Sequence, residues 1–274
     1  MKDAIGDFCL VNGRLLPVSE LGRFILVPDF PVYEVLRVEE GILLFLDDHM
    51  QRLKNTFSMV SWEKIVSVGP IPGQLKKLIR ENKTQSGAVK LLFFFFEEKF
   101  QAIFYQMQPY SPSEEEYKTG VKTISLHLER INPNAKLWNE GFRKTTNGEI
   151  QKSNAFEAVL IDRDGFVTEG SRSNIFFVKD NILFTPPLEN VLPGITRKNV
   201  LEVCKRLNVK AEVCPISFRG IARFDAAFLT GTTRILVSIN RIDDVSFNVE
   251  NPLVERIIDG FGELVREYIS THEN

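Results

Sequence analysis

From Val89 to Phe96 the chain reads Val-Lys-Leu-Leu-Phe-Phe-Phe-Phe, with no polar–apolar alternation. An apolar run of that length, rich in aromatics, predicts a strand buried on both faces, and Gln101 to Met107 is its expected partner. At 274 residues the chain exceeds a mini-core and predicts one large or two modest domains. Its 22 Phe against 5 Tyr and 2 Trp point to an aromatic-rich core and carry no chemistry of their own.

Ahead of that strand, Phe8–Val11 and Leu15–Val18 flank Asn12-Gly13, a pair that supplies the positive φ angles of a type I′ hairpin. A second hairpin is expected from Tyr33–Val38 and Ile42–Phe45 around Glu39-Glu40-Gly41. Asp47 or Asp48 is the expected cap of a helix through His49, Arg52, Leu53 and Phe57. Gly73–Asn82 carries Leu75, Leu78 and Ile79 at helical spacing.

Gln108–Thr119, with two prolines and three consecutive glutamates, has the composition of an exposed linker. The expected division is therefore a small α+β domain with linker over 1–118 and a larger α+β domain over 119–274 that carries Lys136. Within the latter, strands are expected at Val121–His127, Glu157–Asp162, Ser173–Val178, Ile182–Thr185, Lys210–Val213, Ala226–Thr230 and Arg234–Ile239. Helices are expected at Trp138–Ser153, Ile195–Leu207 and along the C-terminal stripe from Val254 to Tyr268. Strands and helices mixed in two blocks argue for the α+β class.

Composition narrows function chiefly by exclusion. A net charge of −2 gives no electrostatic reason to expect nucleic acid or an anionic membrane as partner. Three cysteines without metal-ligand spacing, Cys9, Cys204 and Cys214, suit a reducing, cytoplasmic setting. His49, His127 and His272 are scattered, so a histidine-built metal site is not expected. No apolar run reaches membrane-span length, and the start Met-Lys-Asp-Ala-Ile-Gly-Asp does not read as a signal peptide. A Walker phosphate loop, a Gly-x-Gly-x-x-Gly fingerprint and a nucleophile elbow are all missing.

The chemistry concentrates between Asn134 and Asn174. Asn-Ala-Lys136-Leu-Trp-Asn139 is followed by Asp164-Gly-Phe-Val-Thr-Glu169-Gly-Ser-Arg-Ser-Asn174. Taken singly, Lys136 reads as a solvated lysine and Glu169 as a turn carboxylate. Together with Glu157-Ala, Phe184-Thr-Pro-Pro, Leu192-Pro-Gly-Ile-Thr-Arg197 and Thr230-Gly-Thr232-Thr, they resemble the fold-type IV (class IV) pyridoxal-phosphate enzymes. That group includes branched-chain and D-amino-acid aminotransferases and aminodeoxychorismate lyase. Val11-Asn-Gly, Val32-Tyr-Glu-Val-Leu-Arg37-Val and His49-Met-Gln-Arg52-Leu extend the resemblance through the amino-terminal half.

The resemblance implies a two-domain fold with pyridoxal 5'-phosphate at the domain interface, and a homodimer. Lys136, which lies 33 residues before Glu169, is the implied Schiff-base lysine; Lys144 and Lys152 lie 25 and 17 before it and do not match the family's spacing. Glu169 is implied to keep the pyridine nitrogen protonated. Ile195 and Thr196 open a helix whose free amides suit a phosphate, although Thr196 by itself could be only an N-cap. Gly231 and Thr232 form a second phosphate turn, Arg52 supplies fixed charge, and His49 reads as structural.

The substrate side departs from the family pattern. Phe95 stands near the place of the D-amino-acid enzymes' carboxylate-binding arginine, Arg234-Ile-Leu-Val-Ser238 replaces a common Glu-Ile-Thr-Pro, and Pro28-Asp-Phe-Pro31 replaces Tyr-Gly-Asp-Gly. Tyr33, Thr233, Arg234 and Lys90 are the expected substrate-binding residues. The leading expectation is amino transfer between an amino acid and a 2-oxo acid. A lyase releasing pyruvate and 4-aminobenzoate, and a non-catalytic cofactor-binding relative, are the alternatives.

Overall fold

The computed structural model describes residues 3–24, 30–109 and 111–272. Two compact units emerge: Met1–Tyr110 with Ala135–Glu140 and Arg266–Asn274, and Ser111–Asn134 with Gly141–Val265.

The first unit holds β1 (Ala4–Val11), β2 (Arg14–Pro17), β3 (Val32–Glu39), β4 (Ile42–Leu43), β5 (Ser86–Phe96) and β6 (Lys99–Met107), with helices α1 (Leu46–Met59) and α2 (Ile71–Glu81). The strands form an antiparallel sheet in the order β2-β1-β6-β5-β3-β4. Central β5 is buried on both faces, as its sequence predicts. Val89, Leu91 and Phe93 join Leu53, Phe57, Leu75 and Leu78 of the helices, while Leu92 and Phe94 join Cys9, Tyr33 and Tyr105 on the opposite face. Burying each such side chain stabilises by about 1.5–3 kcal/mol.

Both hairpins close with paired positive φ angles, 48° and 78° at Asn12-Gly13 and 52° and 75° at Glu40-Gly41. The second returns for only two residues, because Phe45 turns left-handed (φ 52°) and becomes the N-cap of α1. This corrects the expected capping by Asp47 or Asp48, which instead occupy the first turn, where carboxylates favour the helix dipole. The Leu46 amide is satisfied by Tyr268 Oη at 3.1 Å.

The expected linker is partly helical. Ser113 and Glu116 form a reciprocal capping box that starts α3 (Glu114–Thr119), and the acidic run doubles as a favourable first turn.

The second unit holds β7 (Val121–His127), β8 (Glu157–Ile161), β9 (Phe166–Gly170), β10 (Asn174–Lys179), β11 (Ile182–Thr185), β12 (Ala211–Val213), β13 (Ile216–Ser217), β14 (Ala226–Gly231), β15 (Ile235–Ile242) and β16 (Val245–Ser246). Their order is β12-β11-β10-β14-β15-β7-β8-β9-β13, with β16 on β15. Helix α4 (Glu140–Lys152) provides the crossover that parallel β7 and β8 require. Helices α5 (Ile195–Arg206) and α6 (Pro252–His272) follow, and the end of α6 belongs with the first unit.

Strand β9 lies between the expected strands Glu157–Asp162 and Ser173–Val178, where the sequence predicts the Asp164-Gly165 turn and no further strand. Of its buried side chains only Val167 is apolar, while Thr168 and Glu169 are polar, so no apolar period marks it. Helix α4 starts two residues later than expected. Leu137 bridges Val32, and the Trp138 amide donates to Pro31 O at 2.9 Å. Those contacts assign the Lys136 segment to the first unit, whereas the sequence reading placed it in the second domain.

Candidate active site

Among the expected site residues, the first unit gathers Lys136, Tyr33, Arg52 and Lys90. The Lys136 backbone is pinned on both sides: its amide donates to Thr56 Oγ1 at 3.3 Å, and its carbonyl accepts from the Tyr33 amide at 3.1 Å. Its Nζ lies 4.6 Å from the Tyr33 ring centroid, within cation–π range. Tyr33 in turn meets Trp138 edge to face, with centroids 5.6 Å apart.

Glu34, the next residue of β3, is wholly buried. Arg52 Nε and Nη2 donate to its two oxygens at 3.0 and 2.6 Å, and His49 Nδ1 lies 3.3 Å from Oε1. Burial pushes the Glu34 carboxyl up, but the charges of Arg52, His49 and Lys136 outweigh it and hold the group well below the usual carboxylate range. His49 is held below its ordinary value, because burial and the cations Arg52 and Lys136 exceed the pull of Glu34. The structural reading of His49 therefore fits its surroundings.

Lys90 donates to Asp3 Oδ2 at 3.1 Å, Tyr105 Oη donates to Oδ1 at 3.1 Å, and the Lys90 ammonium rests 4.3 Å from the Trp138 ring centroid. Phe95, where the D-amino-acid enzymes carry their arginine, packs edge to face on Trp62 and Phe100. Pro28 and Asp29 of the other departure lie outside the described residues.

The second unit gathers Glu169, Ile195, Thr196, Gly231, Thr232, Thr233 and Arg234. Glu169 is buried on β9. Its Oε1 lies 2.7 Å from Arg130 Nε, while Oε2 accepts from the Leu192 amide at 3.0 Å and Asn174 Nδ2 at 3.3 Å. Contacts to both oxygens from three directions fix a carboxylate in position and in plane.

Leu192 leads into α5, whose N-cap is Gly194 with no side-chain cap. Thr196 is thus inside the first turn rather than the cap. A Cβ on Gly194 would collide with Asn174 Oδ1, so glycine is required for the chain to pass Asn174. The uncapped amides at Ile195 and Thr196 have the character of an anion site.

Gly231 ends β14, and Thr232-Thr233-Arg234 loops back to β15. Thr230 Oγ1, just before it, is buried with no hydrogen-bond partner among the described residues. Arg234, expected from sequence as a substrate anchor, instead pairs Nη1 with Oε2 of buried Glu157. Ile235 follows with φ 60°, a backbone state that costs a β-branched residue about 1–3 kcal/mol.

A family model for amino-transferase class IV matches residues 31–242, which span both groups of residues. The chain belongs to the class IV aminotransferase family. It is an enzyme of that class. It is 29% identical over 265 residues to the D-alanine aminotransferase of Bacillus licheniformis, covering 90% of this chain and 93% of that one. Its fold matches the branched-chain amino acid aminotransferase of Thermobaculum terrenum, solved in its PLP-bound holo form, at TM-score 0.81, 20% identity, and coverage of 98% and 96%. It also matches a putative 4-amino-4-deoxychorismate lyase from Legionella pneumophila at TM-score 0.76, 22% identity, and coverage of 86% and 91%.

Four residues of this aminotransferase escaped the sequence reading: Glu34, Thr56, Arg130 and Glu157. Glu34 and Glu157 sit inside quoted motifs without being assigned a role. Arg130 and Thr56 fall in none, and only the folded chain brings them to Glu169 and Lys136. Among the described residues no helix is long and apolar enough to cross a membrane.

Proposed function

We propose that this class IV aminotransferase works with pyridoxal 5'-phosphate, moving an amino group between an amino acid and a 2-oxo acid. The residues present fit that group. In the second unit an uncapped helix start, a buried hydroxyl without a hydrogen-bond partner among the described residues at Thr230 and a fixed buried acid are donors and acceptors suited to a phosphorylated pyridine; in the first unit the Arg52 guanidinium has the chemistry to meet a phosphate. Bound there, the cofactor supplies an aldehyde that captures amines and a ring that accepts the electron pair of a broken Cα–H bond.

The observation that carries the reading is the setting of Lys136. Its backbone is fixed at N and O, and its amine stands against the Tyr33 ring within electrostatic reach of Glu34. On this reading its Nζ is the attachment point of the cofactor. Freed by an incoming amino acid, the same amine removes the substrate Cα proton, as a positioned general base does. Glu169 holds a proton at the ring nitrogen. Arg52, Ile195, Thr196, Gly231 and Thr232 bind phosphate.

Tyr33 and Thr233 contact substrate, and Lys90 offers a carboxylate site now filled by Asp3. Arg234 has its charge met by Glu157, which weakens its case as an anchor. The enzyme acts as a homodimer in a reducing, cytoplasmic compartment; its three cysteines are free thiols, with Cys9 and Cys204 buried.

The test is reconstitution with pyridoxal phosphate, borohydride reduction and peptide mapping, followed by a panel of L- and D-amino acids with 2-oxoglutarate. Label on Lys136 and transfer of nitrogen to the acceptor are the expected results. Label on another lysine would overturn the assignment, and pyruvate release without an acceptor would point to lyase chemistry.

A further inference from the structure

The buried carboxylate of Glu157 joins two turns of the second unit. On one side its Oε1 accepts from the Arg172 amide at 2.5 Å and Ser173 Oγ at 3.0 Å, in the turn directly after Glu169. Approach there is so close that a Cβ on Gly170 would lie 2.6 Å from the same oxygen. On the other side Oε2 pairs with Arg234, in the loop that follows Gly231.

That loop needs holding. It runs into Ile235 at φ 60°, a conformation that persists in a β-branched residue only where the surroundings over-determine it. Its carbonyls are gripped from outside: Ser111 Oγ donates to Thr233 O at 2.9 Å, and Tyr117 Oη donates to Arg234 O at 2.7 Å. The Arg234 side chain, buried and lying over the Phe156 ring, supplies the third hold. A desolvated ion pair is poor at adding stability but good at selecting one geometry, since either charge left alone in the interior is costly.

We infer that Glu157, acting through Arg234, is a positioning residue that sets the loop Thr232–Arg234 relative to the turn after Glu169. It thereby governs affinity for the cofactor phosphate and the substrate carboxylate. The inference rests on the reading that Gly231, Thr232 and Thr233 meet those anions.

Three variants of the reconstituted enzyme test it: Glu157→Gln, the charge-free pair Glu157→Met with Arg234→Met, and Tyr117→Phe. Tyr117 is 43% exposed and Phe keeps its ring, so this replacement removes one hydroxyl and leaves folding intact. The readouts are the pyridoxal phosphate dissociation constant and the KM and kcat for the amino donor. Glu157→Gln is expected to raise the dissociation constant and KM by about tenfold with a smaller change in kcat, the signature of lost binding geometry. The Met pair is expected to melt near the parent temperature yet keep the weakened binding, and Tyr117→Phe to raise KM by roughly threefold.

Parent-like binding constants in both the Met pair and Tyr117→Phe would overturn the inference; if the Met pair does not fold, parent-like constants in Tyr117→Phe alone would do so. Thr232→Val separates the underlying reading. If it leaves cofactor affinity unchanged, the phosphate assignment itself fails. If it weakens binding while the other variants do not, only the role of Glu157 fails.

Discussion

Arg52 and Glu34 form a two-point ion pair in the interior of the first unit, with Nε–Oε2 at 3.0 Å, Nη2–Oε1 at 2.6 Å and both side chains almost fully buried. Glu34 holds the guanidinium that the family resemblance assigns to phosphate. The pair therefore fixes a cation in place before any anion arrives.

Removing one member leaves an unmatched buried charge. Glu34→Gln is expected to destabilise the protein by about 3–5 kcal/mol, read from urea unfolding, and to weaken cofactor binding because Arg52 loses its fixed orientation. A loss under about 1 kcal/mol would show that the pair is solvated or replaceable.

The same cluster sets a pH dependence. Glu34 is depressed when folded, so its stabilisation is present above the unfolded carboxyl value of about 4.3 and is lost as pH falls further. His49 is depressed too: below about 6.5 the unfolded chain binds its proton first, so stability falls with pH there as well. Unfolding free energy should be flat from neutral pH upward through this pair, decline below about 6.5, and decline again below about 4.3. His49→Gln should remove the first decline and keep the second; a His49→Gln profile that retains both would contradict the assignment.

Lys136→Ala is expected to lower kcat by about 10²–10⁴, the usual contribution of a positioned general base, with partial rescue by a small primary amine. Lys144 and Lys152, both exposed on α4, serve as controls, and their alanine variants should keep parent kinetics. Equal losses in all three would remove Lys136 from the chemistry.

Arg130→Met takes away the cation 2.7 Å from Glu169 but leaves the Leu192 and Asn174 donors. Turnover should fall by roughly tenfold, with a displaced pH–rate profile and near-parent melting behaviour. An unmoved pH profile would reduce Arg130 to packing.

Gly194→Ala would force Asn174 aside, since the new methyl would overlap its Oδ1. The expected cost is about 1–3 kcal/mol in stability, with weaker cofactor retention measured by equilibrium dialysis. Asn174→Ala combined with Gly194→Ala should recover most of the stability but not the retention.

Much of the fold could be read directly from local pattern. The unalternating Val89–Phe96 run, the Asn12-Gly13 turn and the apolar stripe of α5 each follow from short-range chemistry, and all three stand in the structure. Strand β9 could not, because in five residues only Val167 is both apolar and buried, while Thr168 and Glu169 are buried polar groups, too little for an apolar signature. Nor could the start of α1: Phe45 caps it in a left-handed turn, which neither aspartate signals.

The sequence by itself determined which side chains are candidates for the chemistry, since a lysine and an acid at family spacing are covalent facts of the chain. Tertiary structure alone decided what surrounds them. Arg130 beside Glu169, Glu34 under Arg52, and Glu157 taking the charge of Arg234 are pairings between residues far apart in sequence. Electrostatic partnership depends on distance and burial in space, and neither is encoded in the local periodicities from which strands and helices are read.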